Sequence, residues 1–171
     1  MIAYAVTDPS TNEVIEQFDT ATDAEIASAI ESAESAYRNW SRTTTAAERA
    51  ALIGRVAELH LERVDTLASI ISQEMGKPIE QAKGEVEFSA SIYQYYADNG
   101  AGFLADEPLE NDGVRTFVRK QGLGVLLGIM PWNFPYYQVA RFAGPNLIAG
   151  NTILLKHAEQ CPRSATAIAE I

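Results

Sequence analysis

Polar and apolar positions divide the chain into a long stretch with helical spacing and a shorter one with strand spacing. Two short apolar runs, residues 2–6 and 14–18, flank Asp8-Pro9-Ser10-Thr11-Asn12 and predict a hairpin. Thr22 and Glu25 stand at capping-box spacing, and Ile26, Ala29, Ile30, Ala33 and Tyr37 follow on one helical face. Thr45 and Glu48 repeat the device ahead of Ala51, Leu52, Val56, Leu59 and His60. A third helix is predicted over 64–75, closed by Gly76 with Pro78 just beyond. A fourth begins near Ile79, presents Val86, Ile92, Tyr93 and Tyr96, and fades at Asn99-Gly100.

The pattern then changes. Asn111-Asp112-Gly113 is a turn signal, and residues 114–121 alternate like a half-exposed strand carrying Arg115, Arg119 and Lys120. Val125 to Ile129 reads as a buried strand, Tyr136 to Ile148 as a helix, Thr152 to Lys156 as a second buried strand, and Ser164 to Ile171 as the start of another helix. Strand, helix, strand, helix is the order of a βαβ unit in a parallel sheet. The fold class is α/β: a helical lead-in over 1–110, a strand segment over 111–123, and a first βαβ unit over 124–171. Two parallel strands alone leave a sheet edge and an apolar face without partners, so the fold is expected to be incomplete, with the chain ending inside its last helix.

Composition supports a chain that buries a core, with 47% hydrophobic residues in 171. The net charge of −10 is uneven: residues 1–110 carry 20 acidic and 7 basic side chains, residues 111–171 carry 3 and 6. The acidic part argues against a nucleic-acid or anionic-membrane partner, and the later part is where an anionic ligand is electrostatically favoured. The single Cys161 cannot form an internal disulfide, Met1 to Ala5 lack the features of a secretory signal, and the longest apolar run, Leu123 to Met130, is strand-sized. A cytoplasmic setting without membrane insertion is expected.

Open α/β sheets bind ligands at the carboxyl ends of their strands, so the loops after Ile129 and after Leu155 are the informative ones. In the first, Met130-Pro131-Trp132-Asn133-Phe134-Pro135, two prolines stiffen the backbone around Asn133. Asn133 then reads equally as a helix N-cap or as an amide donor preset for an oxyanion. In the second, Lys156 ends a strand where its ammonium meets a ligand, and Glu159 can accept hydrogen bonds from paired hydroxyls such as those of a ribose. A solvated charged loop is the competing reading. His157 and Glu159 do not make a metal set, since no second His or Cys stands at ligand spacing, and His60 reads as a core or rim histidine.

Gly122, Gly124 and Gly128 are spaced one residue too long for a dinucleotide fingerprint and lie before or within the strand, so they read as close-packing glycines. Cys161 reads as a structural thiol. Arg141 lies eight residues beyond Asn133 on the following helix, ~12 Å along its axis, and a side chain leaning back ~6 Å toward the amino end suits a ligand with a reactive oxygen at one end and a carboxylate at the other. Tyr137 and Gln138 share that side, and a surface salt bridge is the alternative for Arg141.

Met130 to Pro135, Ala149-Gly150-Asn151-Thr152 and Leu154 to Glu159, with Glu74-Met75-Gly76-Lys77-Pro78 and Phe103-Leu104-Ala105 earlier, together resemble the aldehyde dehydrogenase superfamily along the whole chain. Gln138-Val139-x-Arg141-Phe142 with Leu155-Lys156-His157 is most similar to the succinate-semialdehyde dehydrogenase branch, although the general family form has Pro where this chain has His157. The resemblance implies NAD(P)-dependent oxidation of an aldehyde to an acid through a cysteine thiohemiacetal. It implies Asn133 as oxyanion donor and Met130, Pro131 and Trp132 on the nicotinamide side. Lys156, His157, Ala158 and Glu159 would form the adenosine-ribose loop, and Arg141, with Tyr137 and Gln138, would hold the substrate carboxylate. The acidic Glu159 favours NAD over NADP. The substrate implied is a small aldehyde bearing a carboxylate, and the whole protein is expected to be a homo-oligomer, dimer or tetramer, using residues 111–123 as a bridging strand. The family's cysteine nucleophile, general-base glutamate and pyrophosphate-binding turn lie later than Ile171, so the chain is expected to be an amino-terminal portion, inactive alone. A noncatalytic nucleotide-binding or assembly module, or a superfamily member with another aldehyde, is the alternative.

Overall fold

The computed structural model describes residues 4–171; Met1, Ile2 and Ala3, where the first predicted strand begins, lie outside the described residues. Strand β1 (Tyr4–Thr7) pairs antiparallel with β2 (Val14–Phe18). Helices α1 (Asp23–Ala36) and α2 (Ala46–Glu62) start where the sequence places them, because Thr22 with Glu25 and Thr45 with Glu48 each close a reciprocal capping box. Helix α3 (Val64–Met75) ends on Gly76, whose φ of 71° is the left-handed conformation of a helix C-cap. Helix α4 (Ile79–Phe103), the short antiparallel pair β3 (Glu107–Leu109) and β4 (Thr116–Val118), strand β5 (Val125–Ile129), helix α5 (Pro135–Ala149), strand β6 (Thr152–Lys156) and helix α6 (Pro162–Ala169) complete the order.

Strands β5 and β6 pair in parallel, Val125 opposite Thr152 and Ile129 opposite Lys156, so the loops that follow them emerge at the same end. Helix α5 is buried against α2 and α4 by Ala50, Ile53, Ala57, Tyr93, Val139, Ala140, Ala143 and Ile148, while Leu67, Ala68, Ile71, Ala82, Val86 and Tyr136 form a second cluster below α3. At the other end of the strands, Arg49 donates to the carbonyls of Ile148 (2.9 Å) and Thr44 (2.6 Å), and the Asn151 side chain accepts from the Gly124 amide (3.1 Å), fixing where β5 and β6 begin.

Several expectations need correction. The buried face of α2 is Ala50, Ile53, Ala57 and His60, and Ala51 and Leu52 point outward. Helix α1 buries no residue. It continues into a π-helical turn, Tyr37–Ser41, whose Tyr37 and Ser41 hydroxyls donate to the Gly122 and Gly150 carbonyls. Strand β5 is not buried on both faces: Leu127 and Ile129 are 64% and 70% exposed. The strand predicted over 114–121 is only three residues long, its partner β3 carried no sequence signal, and α6 begins at Pro162 and ends at Ala169.

Helix α4 also runs straight through Asn99-Gly100. Gly100 is there for proximity, since a Cβ on it would lie 2.6 Å from Ile148 Cγ2, whereas one on Gly84 in the same helix meets nothing within 4 Å. Gly100→Ala is therefore expected to destabilise by about 1–3 kcal/mol through overpacking. Gly84→Ala is expected to be neutral or to stabilise by up to about 1 kcal/mol through helix propensity. Urea midpoints of the two variants check the pair, and equal shifts would contradict the packing argument.

Candidate active site

The loop after β5 begins with Met130, whose amide donates to the Lys156 carbonyl (3.0 Å) and extends the parallel ladder by one rung. Pro131, Trp132 and Asn133 then run exposed over the strand end. Helix α5 starts at Pro135 with Phe134 as its N-cap and no side-chain cap of its own. Asn133 is thus not the helix cap, and its carboxamide has no hydrogen-bond partner among the described residues.

The amides that a cap would satisfy go elsewhere. Those of Tyr136 (2.9 Å) and Tyr137 (3.3 Å) both donate to Glu85 Oε1, reaching in from α4. The other oxygen of Glu85 pairs with the Lys77 ammonium, and Lys77 donates in turn to the Asn133 carbonyl at 2.9 Å. Both side chains are buried, at 1% and 8% exposure. Helix α6 uses the same device. It starts at Pro162, and the Arg163 and Ser164 amides donate to the two oxygens of Glu74 at 2.6 and 3.0 Å. Burial is the largest influence on Glu74 and pushes its carboxyl up, opposed by the Ser164 hydroxyl and these amides.

Between the two loops sits His157. Its Nδ1 accepts from the Ala158 amide (2.8 Å), which leaves Nε2 to donate to the Pro135 carbonyl (3.0 Å). The ring is buried and braces the loops from inside, whereas the resemblance grouped it with the ligand-facing residues. Ala158 beside it is half-buried. Cys161 is fully buried with Sγ 3.7 Å from the Trp132 carbonyl; burial first, then Glu74 and Glu85, push its thiol up to about 12. It stays protonated and unreactive at neutral pH.

The remaining candidates face outward. Lys156 is exposed with Nζ 5.7 Å from the Tyr4 ring centroid, and Glu159 is exposed beside it. On α5, Arg141 is exposed and lies 5.6 Å over the Tyr137 ring, with Gln138 half-buried next to it. Tyr137 stacks on Phe88 (5.3 Å) and meets Phe134 edge-on (5.7 Å), forming an aromatic wall between Asn133 and Arg141 that includes Phe88, a residue with no functional signal in the sequence. Helix N-termini at strand ends are ready phosphate sites, but both are here occupied by buried carboxylates, so neither is open to a pyrophosphate. Lys156 and Glu159, by contrast, are both exposed.

His60 and His157 are both buried and both held below the ordinary histidine range, chiefly by desolvation. Their neutral forms belong to the folded state, so the stability they contribute is complete above the unfolded value of 6.5 and is lost as pH falls through the lower folded values. Unfolding stability is expected to drop between pH 6.5 and 5, by up to about 1.4 kcal/mol per pH unit for each proton taken up. His157→Gln should flatten that slope in urea titrations across the range; an unchanged slope would remove His157 from the account.

A parallel βαβ unit whose two strand-end loops are pinned from behind and open in front defines an α/β protein whose candidate ligand site is the carboxyl edge of its sheet. The model of the aldehyde dehydrogenase family matches residues 2–171, and the chain belongs to that family. It is 49% identical over 168 residues to the succinate-semialdehyde dehydrogenase (NADP(+)) of Deinococcus radiodurans, covering 98% of this chain and 35% of the relative. The succinate-semialdehyde dehydrogenase (NADP(+)) 1 of Mycobacterium ulcerans is 44% identical over 98% of this chain and 37% of its own. The crystal structure of succinic semialdehyde dehydrogenase from Streptococcus pyogenes in complex with NADP+ superposes with a TM-score of 0.94 at 43% identity, over 98% of this chain and 37% of that one. The chain thus spans little more than a third of the length of these relatives, and matches their amino-terminal portion. Among the described residues no helix is long and apolar enough to cross a membrane.

Proposed function

We propose that this chain serves as the amino-terminal portion of a cytoplasmic dehydrogenase that oxidises succinate semialdehyde to succinate. Asn133 donates to the aldehyde oxygen as it becomes an oxyanion, and Arg141 holds the carboxylate at the far end. The observation that carries this reading is the pairing of an unengaged Asn133 carboxamide on a clamped loop with an exposed Arg141 two turns along the following helix, over Tyr137. Arg141 lies ~9 Å along α5 from Pro135, and a backward reach of ~6 Å brings its guanidinium toward the loop carrying Asn133, which suits a short ω-carboxy aldehyde. Tyr137 and Gln138 line the space between. We do not assign the nucleophile to Cys161, whose buried thiol lies against the Trp132 carbonyl; the cysteine nucleophile that the resemblance implies is proposed to lie outside these residues.

The cofactor we propose is a nicotinamide dinucleotide, with the adenosine ribose between Lys156 and Glu159 and the nicotinamide beside Met130, Pro131 and Trp132. When bound it supplies the hydride acceptor. Glu159 disfavours a 2′-phosphate, which is the argument for NAD. It is exposed, however, and an unfavourable contact at ~4 Å in water amounts to about 1 kcal/mol, which Lys156 offsets. The NADP(+) in the names of the relatives therefore fits this loop as well. Leu109, Val114 and Val118 are exposed on the β3–β4 hairpin, which supports a bridging role for residues 111–123 in a homo-oligomer.

Arg141→Ala in the whole enzyme is the test. Loss of a charge-assisted carboxylate contact is expected to lower kcat/KM for succinate semialdehyde about 10²-fold, mainly through KM. The value for butanal, which lacks the carboxylate, should stay within about threefold. Equal losses on both aldehydes would remove Arg141 from the substrate site.

A further inference from the structure

We infer that Lys77 and Glu85 are the positioning residues of the oxyanion donor: a buried ion pair that sets the direction of the Asn133 side chain by gripping the backbone at its carbonyl and at the helix start just beyond it. The inference rests on the reading of Asn133 given under Proposed function and adds the groups through which that residue is aimed.

The Lys77 ammonium has three N–H donors and three acceptors: the Glu85 carboxylate, the Asn133 carbonyl at 2.9 Å, and the face of the Phe134 ring, whose centroid is 3.9 Å away. With the lysine side chain 8% exposed, no donor is left for water, and swinging the ammonium away would strip a buried carboxylate of its counter-ion. Lys77 therefore fixes the carbonyl of Asn133, hence the plane of the peptide that follows it. Glu85 fixes the first two amides of α5, those of Tyr136 and Tyr137, through its other oxygen. Pro131 and Pro135 restrict the same segment from within. The carboxamide of Asn133 has no hydrogen-bond partner among the described residues, and it projects from a backbone held at its own carbonyl and just beyond it.

A buried ion pair is a weak source of net stability, since apolar residues of similar volume often do as well, and its better-attested use is to specify a single arrangement. Here the arrangement specified is the loop that presents the oxyanion donor. A donor displaced by about 1 Å can lower the rate about 10²-fold without affecting ground-state binding.

The test is a double-mutant cycle in the whole enzyme, read as kcat and KM with saturating aldehyde and dinucleotide. Lys77→Met keeps length and apolar volume and removes the ammonium; Glu85→Gln keeps an oxygen for the Tyr136 amide and removes the charge. Each is expected to lower kcat about 10- to 100-fold with KM for the dinucleotide within about threefold. Lys77→Met combined with Asn133→Ala is expected to match Asn133→Ala alone within about threefold, because an aimed donor that is absent cannot be misaimed. Single variants with parental kcat, or effects that multiply in the double variant, would overturn the inference while leaving Asn133 in its role. An Asn133→Ala enzyme with unchanged kcat would overturn both readings. Should Lys77→Met not be recovered folded, the same cycle built on Glu85→Gln decides.

Discussion

Asn133→Ala in the whole enzyme is expected to lower kcat by about 10²–10³-fold while leaving KM for aldehyde and dinucleotide within a few-fold. The size follows from the state of the group before substrate arrives. Its loop is stiffened by Pro131 and Pro135, its own carbonyl is held by Lys77, and the helix behind it is held by Glu85. A donor that needs no reorganisation contributes its full interaction when charge develops on the substrate oxygen, and little before then. The loss therefore falls on kcat. Asn133→Asp sharpens the test, because it preserves shape and replaces the N–H donor with a negative charge facing a developing negative charge. It is expected to be impaired at least as severely as Asn133→Ala. Steady-state kinetics of the two variants check the ordering, and an Asp variant that keeps most of the parental kcat would show that the side chain does not face the reacting oxygen.

The parts of this fold that were legible in the sequence are those decided by neighbours in the chain. Both capping boxes join residues three apart, and Gly76 ends α3 by its own φ. The bounds of β5 and β6 came from apolar runs bracketed by Gly and Pro. Asn133, Lys156 and Glu159 were readable as candidates because they stand at or just beyond the strand ends, and Arg141 because of its helical spacing from Asn133. What stayed hidden depends on distant partners. Helix α2 carries the continuous apolar run Ala50 to Ile53 in its second turn, so periodicity cannot select a face until α4 and α5 pack against it. Gly100 reads as a helix end until Ile148 is seen 2.6 Å from where a Cβ would lie.

In the sequence Glu74 and Lys77 stand out only as part of a family-like segment and Glu85 not at all, yet the two carboxylates meet amides 51 to 90 residues away. One local signal did point to them. Helices α5 and α6 each begin with proline, and neither Phe134 nor Cys161 just before can accept as an N-cap does. A helix start without a local acceptor, inside a protein, requires a distant one.

That requirement gives the largest stability effect expected. Glu74→Ala should destabilise the protein by about 2–4 kcal/mol, well above the ~1 kcal/mol expected for removing an exposed cap such as Thr45. The glutamate is 4% exposed and takes three donors: the Arg163 amide, the Ser164 amide and the Ser164 hydroxyl, the last at 2.6 Å. Because residue 162 is proline, those amides are the first two of α6, and Ser164 is itself fully buried, so water cannot replace the carboxylate without opening the structure. The variant leaves two or three buried donors unpaired and removes the negative charge that faces the positive end of the helix dipole. Relief of the carboxylate's own desolvation offsets part of this, which is why the estimate lies below the sum of three lost bonds. Glu74→Gln should fall between, since one oxygen can still accept while the amide nitrogen opposes a backbone N–H. Urea midpoints of Glu74→Ala, Glu74→Gln and Thr45→Ala at constant slope check the order. The consequence for function is local: α6 anchors the loop carrying Lys156 and Glu159, so under the proposed function Glu74→Ala should also raise KM for the dinucleotide while sparing the preference for a carboxylated aldehyde. A Glu74→Ala enzyme no less stable than Thr45→Ala would mean that α6 is held by its packing against α3 and α5, and that the buried carboxylate is dispensable.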